Sequence, residues 1–198
     1  RECGIEVSEI LPYISAELLK NKDFILSALN SKYMDYEDAL EMLEIAAKEP
    51  FEDKEFVLQL VDEMGGKTVK YASEELRADR EVVLEAISDC GLALEFASEE
   101  LRGDREIVLE ALKESDDAVI FASDELKQND RQIKRLVELV NERNSKREEM
   151  HSKWYSYDQI ADAIAPTESM IKAVQAEMIE EMEKATEPAK DTQGQDLE

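Results

Sequence analysis

The chain is short of the residues from which most active sites are built. Its 198 residues include one histidine, His151, two cysteines, Cys3 and Cys90, and one tryptophan, Trp154. A single histidine excludes a histidine-rich metal site. Zinc needs four ligands, and neither paired cysteine spacing nor a second histidine is present to supply them. His151 stands in a charged segment, far in sequence from both cysteines, where it reads as a surface residue rather than a general base. Two cysteines make no disulfide framework and suit a reducing compartment. The six glycines fall mostly at turns, and none builds a phosphate-cradling loop. The acidic doublets Asp116-Asp117 and Glu180-Glu181 lack the spaced oxygen pattern of a calcium loop. Carboxylates are so abundant that nothing singles out a glycosidase-like pair. The expectation is therefore no cofactor, no metal and no catalytic residue in this chain. No apolar run approaches the ~20 residues of a membrane span. The chain begins at Arg1 rather than Met, which leaves room for an upstream signal or domain.

Positive charge is the other shortage. Lys and Arg number 24 against 49 Asp and Glu, a net charge of −25. Residues 1–126 hold 13 basic and 33 acidic groups, residues 127–153 hold 8 and 5, and residues 154–198 hold 3 and 11. Such a surface argues against nucleic acid, whose phosphates require clustered Lys and Arg, and against anionic membranes. A partner with a basic patch is electrostatically favoured. The acidic surface reads either as simple solvation or as a bed for the basic segment 127–153.

What is present is a repeat. Tyr71-Ala72-Ser73-Glu74-Glu75-Leu76-Arg77-Ala78-Asp79-Arg80-Glu81 returns as Phe96-Ala97-Ser98-Glu99-Glu100-Leu101-Arg102-Gly103-Asp104-Arg105-Glu106, and again, eroded, from Phe121 to Lys127. Periods of this size mean stacked units. Asp79 reads as a helix N-cap with Glu81 in the first turn. Val82, Val83, Leu84, Ala86, Ile87 and Cys90 cover a wide helical face, and Gly91 reads as its C-cap. Leu92, Ala93, Leu94, Phe96 and Ala97 make a second, shorter helix, so each unit is predicted to be a helix pair. Asp53 and Asp104 lead further copies, and Ser15-Ala16-Glu17-Leu18 with Phe24 to Leu29 is another. The anchor leucines Leu26, Leu58, Leu84 and Leu109 mark the register. An extra amphipathic helix over residues 36–48, through Ala39, Leu40, Leu43 and Ala47, ends at Pro50. Glu75 with Arg80, and Glu100 with Arg105, are expected to pair between units.

In the last copy Asn129 is the expected cap, with a stripe at Ile133, Leu136, Val137 and Val140. Gln132 and Lys134 replace apolar positions, the mark of a terminal repeat. Beyond it, residues 141–153 continue a helix, Trp154-Tyr155-Ser156-Tyr157 forms an aromatic cluster, and Pro166 reads as a helix start. Met170, Val174, Met178 and Met182 recur every four residues. The aromatic cluster and the methionine stripe each either dock back on the array or meet an external partner.

The phrase from Tyr71 to Ala86 resembles the family called domain of unknown function 4116, closely over about residues 53–128 and more weakly over 8–30 and 129–140. The resemblance implies tandem units within larger proteins of bacteria and protists, some secreted by bacteria that live in or on eukaryotic hosts. It brings no catalytic residue. The sequence thus predicts an all-α fold: a right-handed-type α-solenoid of helix-pair repeats of about 25 residues with a helical C-terminal appendage. Residues 1–140 form the array, 141–186 the appendage and 187–198 a disordered acidic tail. The expected role is a non-enzymatic scaffold, cytoplasmic or secreted into a host cytosol, that binds a protein or peptide with a basic patch. The alternative is an accessory domain of a secreted bacterial effector or enzyme whose catalytic part lies outside this chain. Candidate partner-binding residues are Lys70, Glu95, Ile120, Trp154, Tyr155, Tyr157, Met170 and Met178.

Overall fold

A computed structural model of the chain describes residues 13–31, 34–46 and 48–186. Cys3, Ala47 and the acidic tail 187–198 lie outside the described residues. Among the described residues all regular structure is helical: α1 (Lys22–Leu29), α2 (Tyr36–Ile45), α3 (Lys54–Met64), α4 (Glu74–Arg77), α5 (Arg80–Asp89), α6 (Glu99–Gly103), α7 (Arg105–Glu114), α8 (Asp124–Asn129), α9 (Arg131–Ser152) and α10 (Tyr157–Thr186). Short 3-10 segments intervene, chief among them Gly66–Tyr71, Gly91–Phe96 and Asp116–Phe121. No helix among these residues is long and apolar enough to cross a membrane. The chain divides into two compact units at Ser123/Asp124.

In the first unit the capping residues start the helices as their chemistry dictates. Asn21 accepts from the Phe24 N–H at 3.0 Å, Asp53 from Phe56 at 2.9 Å, Asp79 from Glu81 at 2.9 Å and Asp104 from Glu106 at 2.8 Å. The serine of the repeated phrase is a second cap: Ser73 accepts from the Leu76 N–H and Ser98 from Leu101, at 3.3 Å each. Each repeat is therefore three pieces, a long α-helix, a 3-10 segment and a short α-helix. The predicted helix pair is corrected, because the serine cap breaks the second helix after Phe96. The extra helix α2 ends at Ile45, ahead of Pro50, which instead lies in the 3-10 segment Glu49–Glu52.

Val82, Val83, Ala86 and Ile87 of α5 are buried. They stand three, four, seven and eight residues after the cap, one stripe of the helix. Leu84, five after the cap, lies about 130° round from that stripe at 3.6 residues per turn. It is accordingly only half-buried, as are Leu26 and Leu58, whereas Leu109 is fully buried. The anchor leucines thus mark the register without all being core.

The long helices pack in series, α3 on α5 and α5 on α7, and each 3-10 segment packs on the long helix before it. The segments at 66–71 and 91–96 also pack on the helix that follows. Glycine permits this approach. A Cβ at Gly66 would stand 2.0 Å from the Ala86 carbonyl oxygen, and one at Gly91 2.3 Å from that of Ala111. Gly91 is thus a contact glycine and not a C-cap; the cap position is Cys90. The backbone also stitches repeats together: the Ser98 N–H donates to the Arg77 carbonyl at 2.8 Å, and 25 residues on Ser123 donates to Arg102 at 2.8 Å. At the other end of the unit Leu19, Ile25, Met42, Leu43, Phe51, Phe56 and Leu60 form a closed core.

The second unit is built on a helical hairpin. Asp130, not Asn129, caps α9, accepting from the Gln132 and Ile133 N–H groups at 2.8 and 3.0 Å. Asn129 is instead the last residue of α8. Helix α9 runs unbroken through residue 140 to Ser152, past the expected end of the array. Helix α10 returns antiparallel: Gln132 meets Glu181 at 3.2 Å, and Arg147 meets Glu168 at 3.8 Å. Pro166 lies inside α10 rather than at a helix start. It removes one N–H from the ladder, and one turn away the Lys146 Nζ donates to the Ala163 carbonyl at 2.5 Å. Ile133, Leu136, Leu139 and Val140 are buried on α9, and Ile160, Ile164, Thr167, Ile171 and Met178 on α10.

Candidate interaction surface

The residues after the caps Asn21, Asp53 and Asp79 are basic, and each reaches forward to a later capping aspartate. Lys22 lies 2.5 Å from Asp53. Lys54 lies 2.8 Å from Asp79 and 2.7 Å from Glu81. Arg80 lies 2.5 Å from Asp104 and 2.8 Å from Glu106. The expected pairing of Arg80 with Glu75 is thus replaced by a forward rung to the following repeat. The hydrogen bond from Lys54 holds the Asp79 carboxyl below the usual carboxylate range, against the effect of burial and helped by the Val82 and Glu81 N–H groups. The same contact, with that to Glu81, raises Lys54. Lys22 lowers Asp53 likewise, with the Phe56 N–H next in importance.

Opposite its buried stripe, α5 carries an open groove lined by Arg80, Glu81, Leu84, Glu85 and Ser88, with Glu110 contributed by α7. Leu84 supplies the apolar surface and three carboxylates surround it. Glu81 is paired with Lys54, and Glu110 with Lys113 at 2.6 Å. Arg80 is held by Asp104 and Glu106. Glu85 has no ion pair among the described residues. Sequence reading placed Leu84 in the interior and so missed this groove. The available signal was the offset from the cap, which sets Leu84 and Glu85 on either side of the outward direction.

Of the residues singled out from the sequence, Lys70, Glu95 and Ile120 are each the fifth residue of successive 3-10 segments that pack side by side. All three are exposed, Ile120 to 36%. Lys70 lies 3.8 Å from Glu44, with its Nζ 4.6 Å from the centre of the Tyr71 ring.

Trp154, Tyr155 and Tyr157 come together at the hairpin turn between α9 and α10. Helix α9 ends in a Schellman arrangement: the Tyr155 N–H donates to the Met150 carbonyl at 3.2 Å and the Trp154 N–H to that of His151 at 3.1 Å. Trp154 takes the left-handed position, φ 60°, that glycine usually fills. Trp154 is 95% exposed, and Tyr155 and Tyr157 are also exposed. Tyr157 meets the His151 ring edge-on at 5.8 Å between centroids.

The methionine stripe divides. Met178 is fully buried and Met170 is 51% exposed. A four-residue step advances 40° beyond a full turn, so residues spaced by fours drift off one face. The buried line instead alternates steps of four and three through Ile160, Ile164, Thr167 and Ile171. Met178 is therefore removed from the candidate partner residues, and Met170 stands apart from it. Among the described residues no cluster of three or more His, Cys, Asp or Glu has the placement to hold a metal ion.

Comparison with curated proteins and with solved structures returned no match. A family model does match, twice, over residues 53–102 and 79–127, and each match begins at a capping aspartate, Asp53 and Asp79. Across residues 53–127 the chain resembles the family described as Domain of unknown function (DUF4116).

Proposed function

We propose that the first unit is a right-handed-type α-solenoid that serves as a non-enzymatic interaction scaffold for a protein or peptide with a basic patch. The observation that carries this reading is the division of labour within the repeat. The recurring residues are spent on holding units together: Asp53, Asp79 and Asp104 on caps and rungs, Ser98 and Ser123 on backbone stitches, Gly66 and Gly91 on close approach. The exposed positions vary instead, as Lys70, Glu95 and Ile120 do. A constant frame with a varied surface is the design of repeat scaffolds. The acidic excess of residues 1–126 gives the partner its sign.

The test is equilibrium binding of the intact chain to a peptide array graded in net charge, over a salt series. Binding is expected to be confined to basic peptides. It should weaken as salt shortens the screening length below the ~10 Å of 0.1 M. Binding indifferent to peptide charge, or tight binding of nucleic acid at low salt, would sink the proposal.

A further inference from the structure

We infer that the groove on α5 seats one lysine or arginine side chain of the partner, its aliphatic stem on Leu84 and its cation at Glu85. The inference rests on the proposal that this unit binds a basic protein or peptide, and it names the place. Long basic side chains are amphipathic: the stem gains from apolar contact while the head needs charge or water. The groove offers both, with half-buried Leu84 beside the carboxylates of Glu81, Glu85 and Glu110. An inorganic cation gains nothing from a leucine floor, so an organic cation is the better match.

Comparison of the repeats selects α5. Helix α3 has the half-buried Leu58, but Gln59 stands where Glu85 does, and it bonds Glu63 at 3.4 Å. Helix α7 has an acid at that position, Glu110, but it is paired with Lys113, and Leu109 is 1% exposed. Only α5 among these three joins a half-buried leucine to an acid with no ion pair among the described residues. The one cation lining the groove, Arg80, is already faced by Asp104 and Glu106.

The experiment is a nitrogen-15 NMR titration of the intact chain with a synthetic amphipathic helical peptide bearing lysine on one face. Amide shifts are expected at Leu84, Glu85, Ser88 and Glu110. Glu85→Gln should weaken binding about three- to fivefold, the range of an exposed ion pair, without altering the thermal melt. Leu84→Ser should weaken it several-fold. Asp62→Asn removes the same charge from the exposed face of α3 and should change the affinity less than about twofold, which separates a local contact from the general acidic field. Binding with shifts confined to other residues, or Glu85→Gln binding like the parent, overturns the site and leaves the charge-selective scaffold standing. Failure of the parent chain to bind the lysine peptide overturns both.

Discussion

Lys54 Nζ lies 2.8 Å from Asp79 Oδ2, while Oδ1 of the same carboxylate accepts the Glu81 N–H at 2.9 Å. One side chain therefore starts α5 and receives the first residue of α3. Local helix formation and the joining of repeats are coupled through Asp79, and the arrangement recurs where Arg80 meets the capping Asp104.

Asp79→Ala removes cap and rung together and should cost about 1–2 kcal/mol, mostly from the cap. Asp79→Asn keeps an equivalent cap and should cost less than half as much, since the partly exposed ion pair is weak. The Asp79 carboxyl is lowered in the folded state, so the rung's contribution is present above the ordinary value of 3.8 and is lost as pH falls through the folded pKa. Lys54 is raised, so its contribution is whole below 10.5 and is lost only as pH rises through its folded value. Urea unfolding followed by far-UV circular dichroism should show the gap between parent and Asp79→Asn closing in acid. A gap unchanged well below pH 3.8 would contradict the assignment.

Ile87 and Leu84 separate the two faces of α5. Ile87 is fully buried, so Ile87→Ala should cost about 2–5 kcal/mol. Half-buried Leu84 should lose roughly 1 kcal/mol on truncation to alanine. Equal losses in parallel denaturation curves would mean that the helix is rotated from the orientation described.

The contact glycines supply a steric test. Gly91→Ala places a methyl 2.3 Å from a backbone oxygen that no side-chain rotation can move. A loss of about 1–3 kcal/mol or more is expected. Gly103→Ala meets only the Ser123 side chain, its Oγ at 3.2 Å and its Cβ at 3.8 Å. It should change stability by less than about 1 kcal/mol in either direction, since alanine also favours the helix. Thermal melts of the two variants should differ plainly; the same melting temperature for both would remove the close approach at Ala111.

The parts of this fold that were legible in the sequence are those decided within one turn of helix. Asp53, Asp79 and Asp104 announce their caps because the bond spans two or three residues. Exposure of Lys70 follows from position on a short element. What stayed hidden depends on residues far away in the chain. Arg80 has an acid five residues back, Glu75, and another 24 ahead, Asp104; only the packing of α5 on α7 selects the second. Gly91 reads as a helix stop until the Ala111 carbonyl appears beside it. Periodicity misled where it was stretched too far: a four-residue step looked like one stripe through Met170 and Met178, and a preserved stripe favoured Asn129 over the true cap, Asp130. The groove escaped notice because a leucine in a repeat reads as core, whereas its angle from the cap points outward.

The exposure of Trp154 decides what light can report about this protein. It is the chain's single indole, and in the folded state it is already 95% in solvent. Its emission should therefore be red-shifted before any denaturant is added and should scarcely move when the helices melt, so an unfolding curve read at that wavelength would look flat. The same indole should shift to the blue and resist aqueous quenchers whenever a molecule covers the hairpin turn, which makes it a built-in sensor of contact at that end of the second unit.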